Sequence, residues 1–166
     1  MFMPGPLGYS RETEVALIGD TGGTATTSET EAWILCVLAR KARRIFEFGT
    51  CTGRTAYLLA RNAPADAEVV TITLSPESVD QYDADANDSA SARWAEIAAA
   101  ESAYSKFYYE NTDVAGRITQ LIGDSKAFDE APYAGTCDLI FIDGSHAYSY
   151  VKSDSEKALR MVRPGG

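Results

Sequence analysis

The chain has 166 residues, of which 45% are hydrophobic, 10% aromatic and 23% charged, with 13 glycines and 6 prolines. These fractions are typical of one folded domain and exclude a collagen-like, a disordered or a disulfide-framework protein. The formal net charge of −9, from 15 basic and 24 acidic residues, disfavours binding to nucleic acid or to an anionic membrane surface.

Residues 1–27 are predicted to form an irregular N-terminal arm because glycine, threonine and proline are frequent there. The arm lacks the basic and apolar segments of a secretory leader, and no stretch of the chain approaches the roughly 20 apolar residues that cross a bilayer. Cys36, Cys51 and Cys137 are odd in number and lack the CxxC spacing of zinc and redox motifs. We therefore expect a cytoplasmic protein with one domain over residues 28–166.

Helix and strand alternate in the first half of this domain. Ser28 and Glu31 have the spacing of a capping box, which begins an amphipathic helix that runs to about Ala42. The apolar side chains predicted for that helix are Trp33, Ile34, Val37 and Leu38. A strand, a helix and a second strand are then predicted at Arg44–Phe48, Gly53–Arg61 and Glu68–Leu74. The continuous β-branched character of the second strand favours a central position, covered on both faces.

The composition shifts between residues 81 and 111. An acidic loop with Asp83, Asp85 and Asp88 is predicted to be solvated, and the alanine-rich residues 91–104 are predicted to be helical. The aromatic and apolar residues of this region share one buried face, or alternatively shape a lid over a binding site. These residues are Trp94, Ile97, Tyr104 and Tyr108.

Two further strands, Arg117–Ile122 and Cys137–Ile142, precede a last helix at Tyr148–Met161. The inner side of that helix is predicted to carry Val151, Ala158 and Met161. The whole alternation indicates an α/β domain with a mainly parallel, open, Rossmann-like sheet. A sheet that ends at its fourth strand leaves that edge unpaired, so self-association into a homo-oligomer is expected.

In a parallel sheet of this kind, ligands bind beyond the carboxyl ends of the strands. Glu47 lies at the end of the first strand, and Gly49 and Gly53 follow it in a turn where backbone can approach a ligand closely. The carboxylate suits a ligand with an ammonium or hydroxyl groups, whereas a pyrophosphate would be repelled. The spacing is G-x-x-x-G, so the dinucleotide fingerprint G-x-G-x-x-G is not met. The alternative is a plain tight turn between strand and helix.

These segments resemble a known family. Glu47–Ala60 is similar to motif I of class I S-adenosylmethionine-dependent methyltransferases, in the E-x-G-x-x-x-G form of the catechol O-methyltransferase-like branch. Arg117–Ser125, Cys137–Tyr148 and Arg163–Gly166 resemble the later motifs of small members of this family, in the same order. The resemblance begins near Ser28 and implies the strand order of the methyltransferases. In the family, further strands follow the Pro-Gly-Gly turn, so we expect the domain to be incomplete at its C-terminus.

The resemblance also implies which residues bind S-adenosylmethionine. The first-strand glutamate and its turn hold the methionine part of the cofactor, and the two residues after the third strand face the adenine. At the end of the second strand the family usually has Asp or Glu for the ribose, and here Thr73 stands instead. Glu77, Asp83 or Asp85 are the candidates to replace that carboxylate. The implied cofactor-binding residues are Glu47, Gly49, Thr50, Gly53, Thr73, Asp124, Ser125 and Asp143.

Catalytic roles are implied for the loop after the fourth strand. Asp143 would lie beside the sulfonium, where metal-dependent members of the family place a metal-binding aspartate, so Mg²⁺ is a further expected ligand. His146 would act as the general base toward an acceptor hydroxyl. The alternatives are a surface histidine, an aspartate without a metal, an Asp124 that only caps residues 125–128, and a Cys51 that only fills space.

The function expected from the resemblance is methyl transfer from S-adenosylmethionine to a small-molecule acceptor, on oxygen. Two other classes stay open. One is a nicotinamide-dependent oxidoreductase, which the missing fingerprint and Thr73 disfavour. The other is a non-catalytic or truncated cofactor-binding domain, which Thr73 and the end of the chain at Gly166 favour.

Overall fold

A computed structural model describes residues 13–18, 27–85, 88, 99–100 and 103–166 of the chain. Within them, the α-helices and β-strands are α1 (Glu29–Ala39), β1 (Arg44–Phe48), α2 (Arg54–Asn62), β2 (Glu68–Thr73), β3 (Ile118–Ile122), β4 (Leu139–Ile142) and α3 (Tyr148–Met161). Short 3-10 helices lie at Pro76–Gln81, Ala115–Arg117 and Ala131–Tyr133. Most of the predicted helix at 91–104, with Trp94 and Ile97, lies outside the described residues.

The four strands form one parallel sheet in the order β3-β2-β1-β4. This confirms the predicted α/β class and parallel sheet. The predicted strand boundaries agree with the structure to within two residues, and the capping box at the start of α1 is formed, with Glu31 N–H donating to Ser28 Oγ at 3.3 Å. None of the helices in the described residues is long and apolar enough to cross a membrane.

The sheet is covered on both faces. On one face, α1 and α2 pack Leu35 and Leu59 against the β1 and β2 side chains Ile45 and Val69. On the other face, Met161 of α3 packs with a cluster that includes the aromatic rings of β1. Side chains of a strand alternate between the two faces, so Glu47 points to the same side as Ile45, toward α1 and α2.

Several predicted core positions are exposed instead. Trp33 is 44% exposed because α1 turns Ala32, Leu35, Cys36 and Ala39 inward. Tyr104 and Tyr108 are 36% and 42% exposed, so the predicted buried face is wrong for these two residues.

The inner face of α3 also differs from the prediction. Val151 is 41% exposed, whereas Met161 is buried as predicted. The inner positions are taken by Tyr150, Asp154 and Lys157, at helical spacings of four and three residues. The prediction is confirmed for Met161 and for Ala158, which packs against the same cluster, and it is wrong for Val151, because polar side chains take the other inner positions.

The acidic loop is only partly solvated. Asp83 and Asp85 are exposed, but Asp88 is only 5% exposed and accepts hydrogen bonds from Ser149 N–H at 2.9 Å and Ser149 Oγ at 2.6 Å. These bonds satisfy donors in the first turn of α3, whose own preceding residue, Ala147, makes no side-chain cap. The prediction of a solvated loop was therefore wrong for Asp88, which caps a helix distant in sequence.

The described part of the N-terminal arm, residues 13–18, contains no helix or strand but packs against the domain. Ala16 N–H donates to Asn62 Oδ1 at 2.7 Å, and Asn62 Nδ2 donates back to the Ala16 carbonyl at 2.9 Å. Val15 and Ile18 pack against a small cluster between α1 and α2, formed by Ala32, Cys36 and Leu58. The segment thus covers apolar surface between these two helices.

Candidate active site

The loops that follow the strands begin at the carboxyl-terminal end of the sheet, where backbone hydrogen bonds join them to neighbouring strands. Gly49 N–H donates to the Ile72 carbonyl at 2.9 Å, and Asp143 N–H donates to the Phe48 carbonyl at 2.8 Å. Gly123 N–H donates to the Thr73 carbonyl at 2.9 Å. The four predicted strand-end segments therefore begin side by side, as expected for parallel strands.

The turn from β1 to α2 is held against the loop after β4. Gly49 has φ of +97°, and a Cβ built on it would lie 2.2 Å from the Asp143 carbonyl oxygen. Gly53 has φ of +78°, and a Cβ there would lie 2.9 Å from the Tyr109 ring. Both positions require glycine for conformation and for space. The turn is therefore packed closely against Asp143 and Tyr109, which a plain connection between a strand and a helix would not require.

Glu47 belongs to a row of polar side chains across three strands. Register pairs Glu47 of β1 with Thr71 of β2, and Thr71 with Gln120 of β3, so the three side chains lie on the same face. Glu47 and Thr71 are fully buried. Thr50, from the turn above, joins the row with its hydroxyl 2.7 Å from that of Thr71.

Four hydrogen bonds of this row lead step by step toward Glu47. Thr71 Oγ1 donates to Glu47 Oε2 at 2.6 Å, so the Thr50 hydroxyl must donate to Thr71. Gln120 Nε2 donates to Thr50 Oγ1 at 3.1 Å, and Tyr109 Oη donates to Gln120 Oε1 at 2.6 Å. The Glu47 carboxyl is therefore fixed from one side by a directed chain of donors.

The other carboxyl oxygen of Glu47, Oε1, is buried and has no hydrogen-bond partner among the described residues. Burial raises the pKa of Glu47 to about 8, the bond from Thr71 lowers it, and the negative charge of Asp143 raises it further. An unpaired buried acceptor costs stability, and such groups concentrate at functional sites. Glu47 is thus a carboxyl group that a cationic donor would stabilise in its charged form.

Asp143 and His146 lie together in the loop after β4, and both are exposed. Partial desolvation of the Asp143 carboxylate by the surrounding loops raises its pKa. The charge of His146 lowers this pKa, and the charge of Glu31 raises it. The structure therefore brings Glu47, Asp143 and His146 to one end of the sheet.

Asp124 and Ser125 face inward, toward α3. Asp124 is 8% exposed, and its Oδ1 accepts from Lys126 N–H at 2.9 Å, which is the local capping contact considered as an alternative role. Ser125 Oγ donates to Asp154 Oδ2 at 3.1 Å. Neither contact tests an adenine-binding role, which stays a prediction.

The candidates for a ribose carboxylate have other contacts. Thr73 ends β2 and is partly exposed, as is the turn that follows. Hydrogen bonds with Ser75 lower the pKa of Glu77, and Asp85 forms an ion pair with Lys126 Nζ at 3.3 Å. Asp83 receives a hydrogen bond from Lys126 Nζ on its backbone carbonyl.

Four residues of the site were missed from the sequence: Thr71, Tyr109, Gln120 and Asp154. Thr71 lies between the apolar residues Val70 and Ile72 of a buried strand, which was the available signal for it, whereas Gln120 follows another polar residue in the partly exposed β3 and gave a weaker one. Asp154 lies four residues after Tyr150 on the inner face of α3, a spacing that marks a shared helix face. Tyr109 gave no signal, because its contact with Gln120 depends on the path of the preceding loop.

A metal site is not formed by the residues described. Within that part of the chain, no group of three or more His, Cys, Asp or Glu side chains is arranged to hold a metal ion. Hard divalent cations take six or more oxygen ligands, some of them waters. Asp143 alone does not meet this requirement.

Comparisons with known proteins agree with one another. A family described as a methyltransferase domain matches residues 46–166. The O-methyltransferase TomG from Streptomyces achromogenes, which is involved in tomaymycin synthesis and was solved with SAM, is 27% identical over 84% of this chain and 54% of that chain, with a TM-score of 0.54. No curated protein sequence matches the chain.

Two more distant solved structures share the fold alone. The SAH-bound methyltransferase PaMTH1 from Podospora anserina is 23% identical over 86% of this chain and 52% of that chain, with a TM-score of 0.56. The O-methyltransferase from Bacillus cereus, in complex with SAH, is 22% identical over 86% of this chain and 56% of that chain, with a TM-score of 0.53. The chain thus spans little more than half the length of the solved proteins it resembles.

Proposed function

Because the chain belongs to the methyltransferase domain family, which matches it over residues 46–166, we propose that it binds S-adenosylmethionine at the carboxyl ends of its strands. We further propose that it transfers the methyl group to an oxygen atom of a small-molecule acceptor. The likeness to an O-methyltransferase solved with SAM supports both statements. The observation that carries the proposal is the buried carboxyl of Glu47, with one oxygen unpaired.

The residues at this end of the sheet fit such a cofactor. The unpaired Oε1 of Glu47 would accept a hydrogen bond from the ammonium group of the cofactor. This contact would stabilise the charged form of the carboxyl group. Gly49 and Gly53 admit no Cβ because Asp143 and Tyr109 occupy that space, so the turn is fixed closely beside Glu47 and the loop after β4. Glu47, Gly49, Thr50 and Gly53 would hold the methionine part of the cofactor.

The bound cofactor would supply an already activated methyl group on a cationic sulfur. The protein then has to orient the acceptor oxygen and remove its proton. His146, exposed in the loop after β4 and electrostatically coupled to Asp143, is the candidate general base. The Asp143 carboxylate would favour the positive charge of the cofactor sulfur. Asp124 and Ser125, on the loop after β3, would contribute to the adenine side.

A divalent metal does not fit the ligands described here. Asp143 would be one oxygen ligand of Mg²⁺, but the described residues supply no second and third ligand beside it. We therefore derive no step through a metal, and the proton transfer above rests on His146 alone.

A second candidate function is cofactor binding without catalysis. Thr73 favours it, because one hydroxyl replaces the bidentate carboxylate usual at this position of the family. Since the chain spans 54% of TomG, the activity of the whole protein stays a proposal.

Calorimetry separates these functions. The 166-residue protein is titrated with S-adenosylhomocysteine and, separately, with NAD⁺, and then assayed for methyl transfer to a panel of phenols. We expect S-adenosylhomocysteine to bind, NAD⁺ not to bind, and Glu47→Gln to weaken binding at least about tenfold, as expected for the loss of a charge-assisted hydrogen bond. Binding without turnover favours the second candidate. Absence of binding in the wild type refutes the proposal.

A further inference from the structure

The inner face of α3 is polar where it meets the loop after β3. Tyr150, Asp154 and Lys157 are 2%, 1% and 7% exposed. Their spacing of four and three residues aligns them along one side of the helix. We call residues 123–128 the β3 loop. Buried charges are costly unless their partners compensate for the lost water, so the contacts of this face need a reason.

Lys157 fixes the backbone of the β3 loop. Its ammonium donates to the carbonyl oxygens of Ser125 at 2.8 Å, Lys126 at 2.9 Å and Phe128 at 2.5 Å. An ammonium has three donors, so these three bonds use all of them. The loop is thereby wrapped around the lysine, independent of the side chains that the loop carries.

Asp154 fixes a side chain of the same loop and is itself incompletely paired. Its Oδ2 accepts from Ser125 Oγ at 3.1 Å and would lie 3.6 Å from a Cβ built on Gly144, in the loop after β4. Its Oδ1 is buried and has no hydrogen-bond partner in the part of the chain that the structure describes. The carboxyl group of Asp154, buried with one oxygen unpaired, therefore lies between the β3 loop and the loop after β4.

Tyr150 continues this face toward the loop after β2. Its hydroxyl accepts from Asp83 N–H at 2.9 Å, and its ring stacks on Tyr82 with centroids 4.7 Å apart. Burial and a hydrogen bond with Asp124 contribute to a raised pKa of Tyr150, opposed by the Asp83 contact. The polar face of α3 thus contacts the loops after β2 and β3, and Asp154 reaches the loop after β4.

We propose that Asp154 is a positioning residue for cofactor binding, which acts through Ser125 to hold the β3 loop in its binding-competent conformation. This inference rests on the proposed function, because it assumes that the β3 loop borders the adenine of the bound cofactor. Lys157 sets the course of the loop backbone, and Asp154 sets the orientation at Ser125. The cofactor itself need not touch either side chain.

The test combines two substitutions with a matched control. Ser125→Ala removes the hydrogen bond between Ser125 and Asp154, and Asp154→Asn removes the negative charge that strengthens it, while Glu156→Gln changes an exposed carboxylate of the same helix. The dissociation constant of S-adenosylhomocysteine is measured by calorimetry for each variant and for the double variant. We expect each single variant to bind about tenfold more weakly, and the double variant to bind no more weakly than Asp154→Asn. Glu156→Gln should bind like the wild type.

A pH profile distinguishes positioning from a merely structural role. Burial raises the pKa of Asp154 to about 6, opposed by Ser125 and Lys157 and reinforced by Asp124. The charged groups that face it are Lys157 on its own helix and Asp124 on the β3 loop, and both remain in every variant. Wild-type affinity should rise between about pH 5 and pH 7 as Asp154 ionises, and Asp154→Asn should lose this rise.

Amide hydrogen exchange without ligand supplies a reading that does not depend on binding. Exchange in the β3 loop should accelerate in Asp154→Asn and in Ser125→Ala, and not in Glu156→Gln. Unchanged exchange and unchanged affinity in both single variants would overturn the inference and leave the proposed function intact. If the wild type binds no S-adenosylhomocysteine, the proposed function itself fails.

Discussion

Glu47 is a side chain proposed to bind the cofactor whose burial is unfavourable to the fold. It is fully buried, and a chain of donors from Thr71 back to Tyr109 satisfies one oxygen only. Its pKa is raised from 4.5 to about 8 by burial first. Between these two pH values the folded state binds more protons than the unfolded state, so stability falls as pH rises.

The substitution Glu47→Gln should remove this dependence. In the wild type the Glu47 contribution lowers the free energy of unfolding by up to about 1.4 kcal/mol per pH unit in that window, and the variant lacks this slope. Urea unfolding of both proteins at several values between pH 5 and pH 8 measures the difference. The other raised carboxyls, Asp143 and Asp154, titrate in both proteins and cancel.

Glu156→Gln is the control for this experiment, because that carboxylate is exposed. Its unfolding free energy should follow the wild-type pH dependence. Parallel curves for the wild type and Glu47→Gln would show that Glu47 is not the buried, protonated group inferred from its contacts.

Gly49 should tolerate no side chain. In Gly49→Ala the new methyl group would lie 2.2 Å from the Asp143 carbonyl oxygen, at a φ of +97°. We expect a loss of at least about 2 kcal/mol of unfolding free energy, since both strain and overlap must be relieved. Gly116→Ala is the matched control, because nothing lies within 4 Å of a Cβ there. Equal thermal stabilities of the two variants would contradict the close approach of turn and loop.

At the scale of the element, the first turn of α3 depends on a residue sixty positions earlier in the chain. Asp88 supplies the cap that Ala147 does not, and Asp85 N–H also donates to Asp88 Oδ2, at 2.9 Å. The hydrogen bonds from Ser149 are the main reason that the pKa of Asp88 is lowered. One carboxylate therefore joins the loop after β2 to the helix after β4.

Asp88→Ala should destabilise both the loop after β2 and the first turn of α3. We expect the melting temperature to fall by a few degrees, and amide exchange in the first turn of α3 to increase. Asp88→Asn should retain most of the stability, because its amide oxygen can still accept from Ser149 N–H. Circular dichroism melting curves compare the three proteins, and an unchanged curve for Asp88→Ala would show that the cap contributes nothing.

The elements themselves could be predicted, because each has a local cause. The capping box of α1, the β-branched run of β2 and the turn at Gly49 are properties of neighbouring residues. The side chains that face inward on α3 could not be predicted, since Asp154 and Lys157 are buried only because the β3 loop offers a hydroxyl and three carbonyls. Glu47 could be predicted because its motif is local in sequence. The roles of Gln120 and Tyr109 could not, because they depend on the strand order and on the path of the loop before β3.

At the scale of the whole molecule, β4 forms one side of the described sheet, and the chain carries a strong net charge. Within the described residues, β4 pairs with β1 on one side only, apart from a single bridge between Cys137 and Val162. An open parallel edge presents unpaired backbone donors and acceptors. The formal net charge of −9 repels a second copy and opposes association through that edge.

We expect self-association that increases with salt. Sedimentation velocity at low ionic strength and at about 0.5 M NaCl should show a larger oligomer fraction in the second condition, because salt screens the repulsion. Ile122→Lys changes the opposite edge, at β3, where this side chain is 52% exposed, and should leave the oligomer fraction unchanged. A monomer at every salt and protein concentration would show that the β4 edge does not self-associate.

The short segment at residues 13–18 limits how far the protein can be shortened for laboratory use. Cutting the chain back to Ser28 would deprive Asn62 Oδ1 of the amide it now receives and would bare Leu58 and the thiol of Cys36. A preparation shortened in this way should adhere to chromatography media and expose the Cys36 thiol to alkylating reagents that do not reach it in the full chain. Keeping at least residues 13–27 is therefore a practical requirement for crystallisation and for every assay described above.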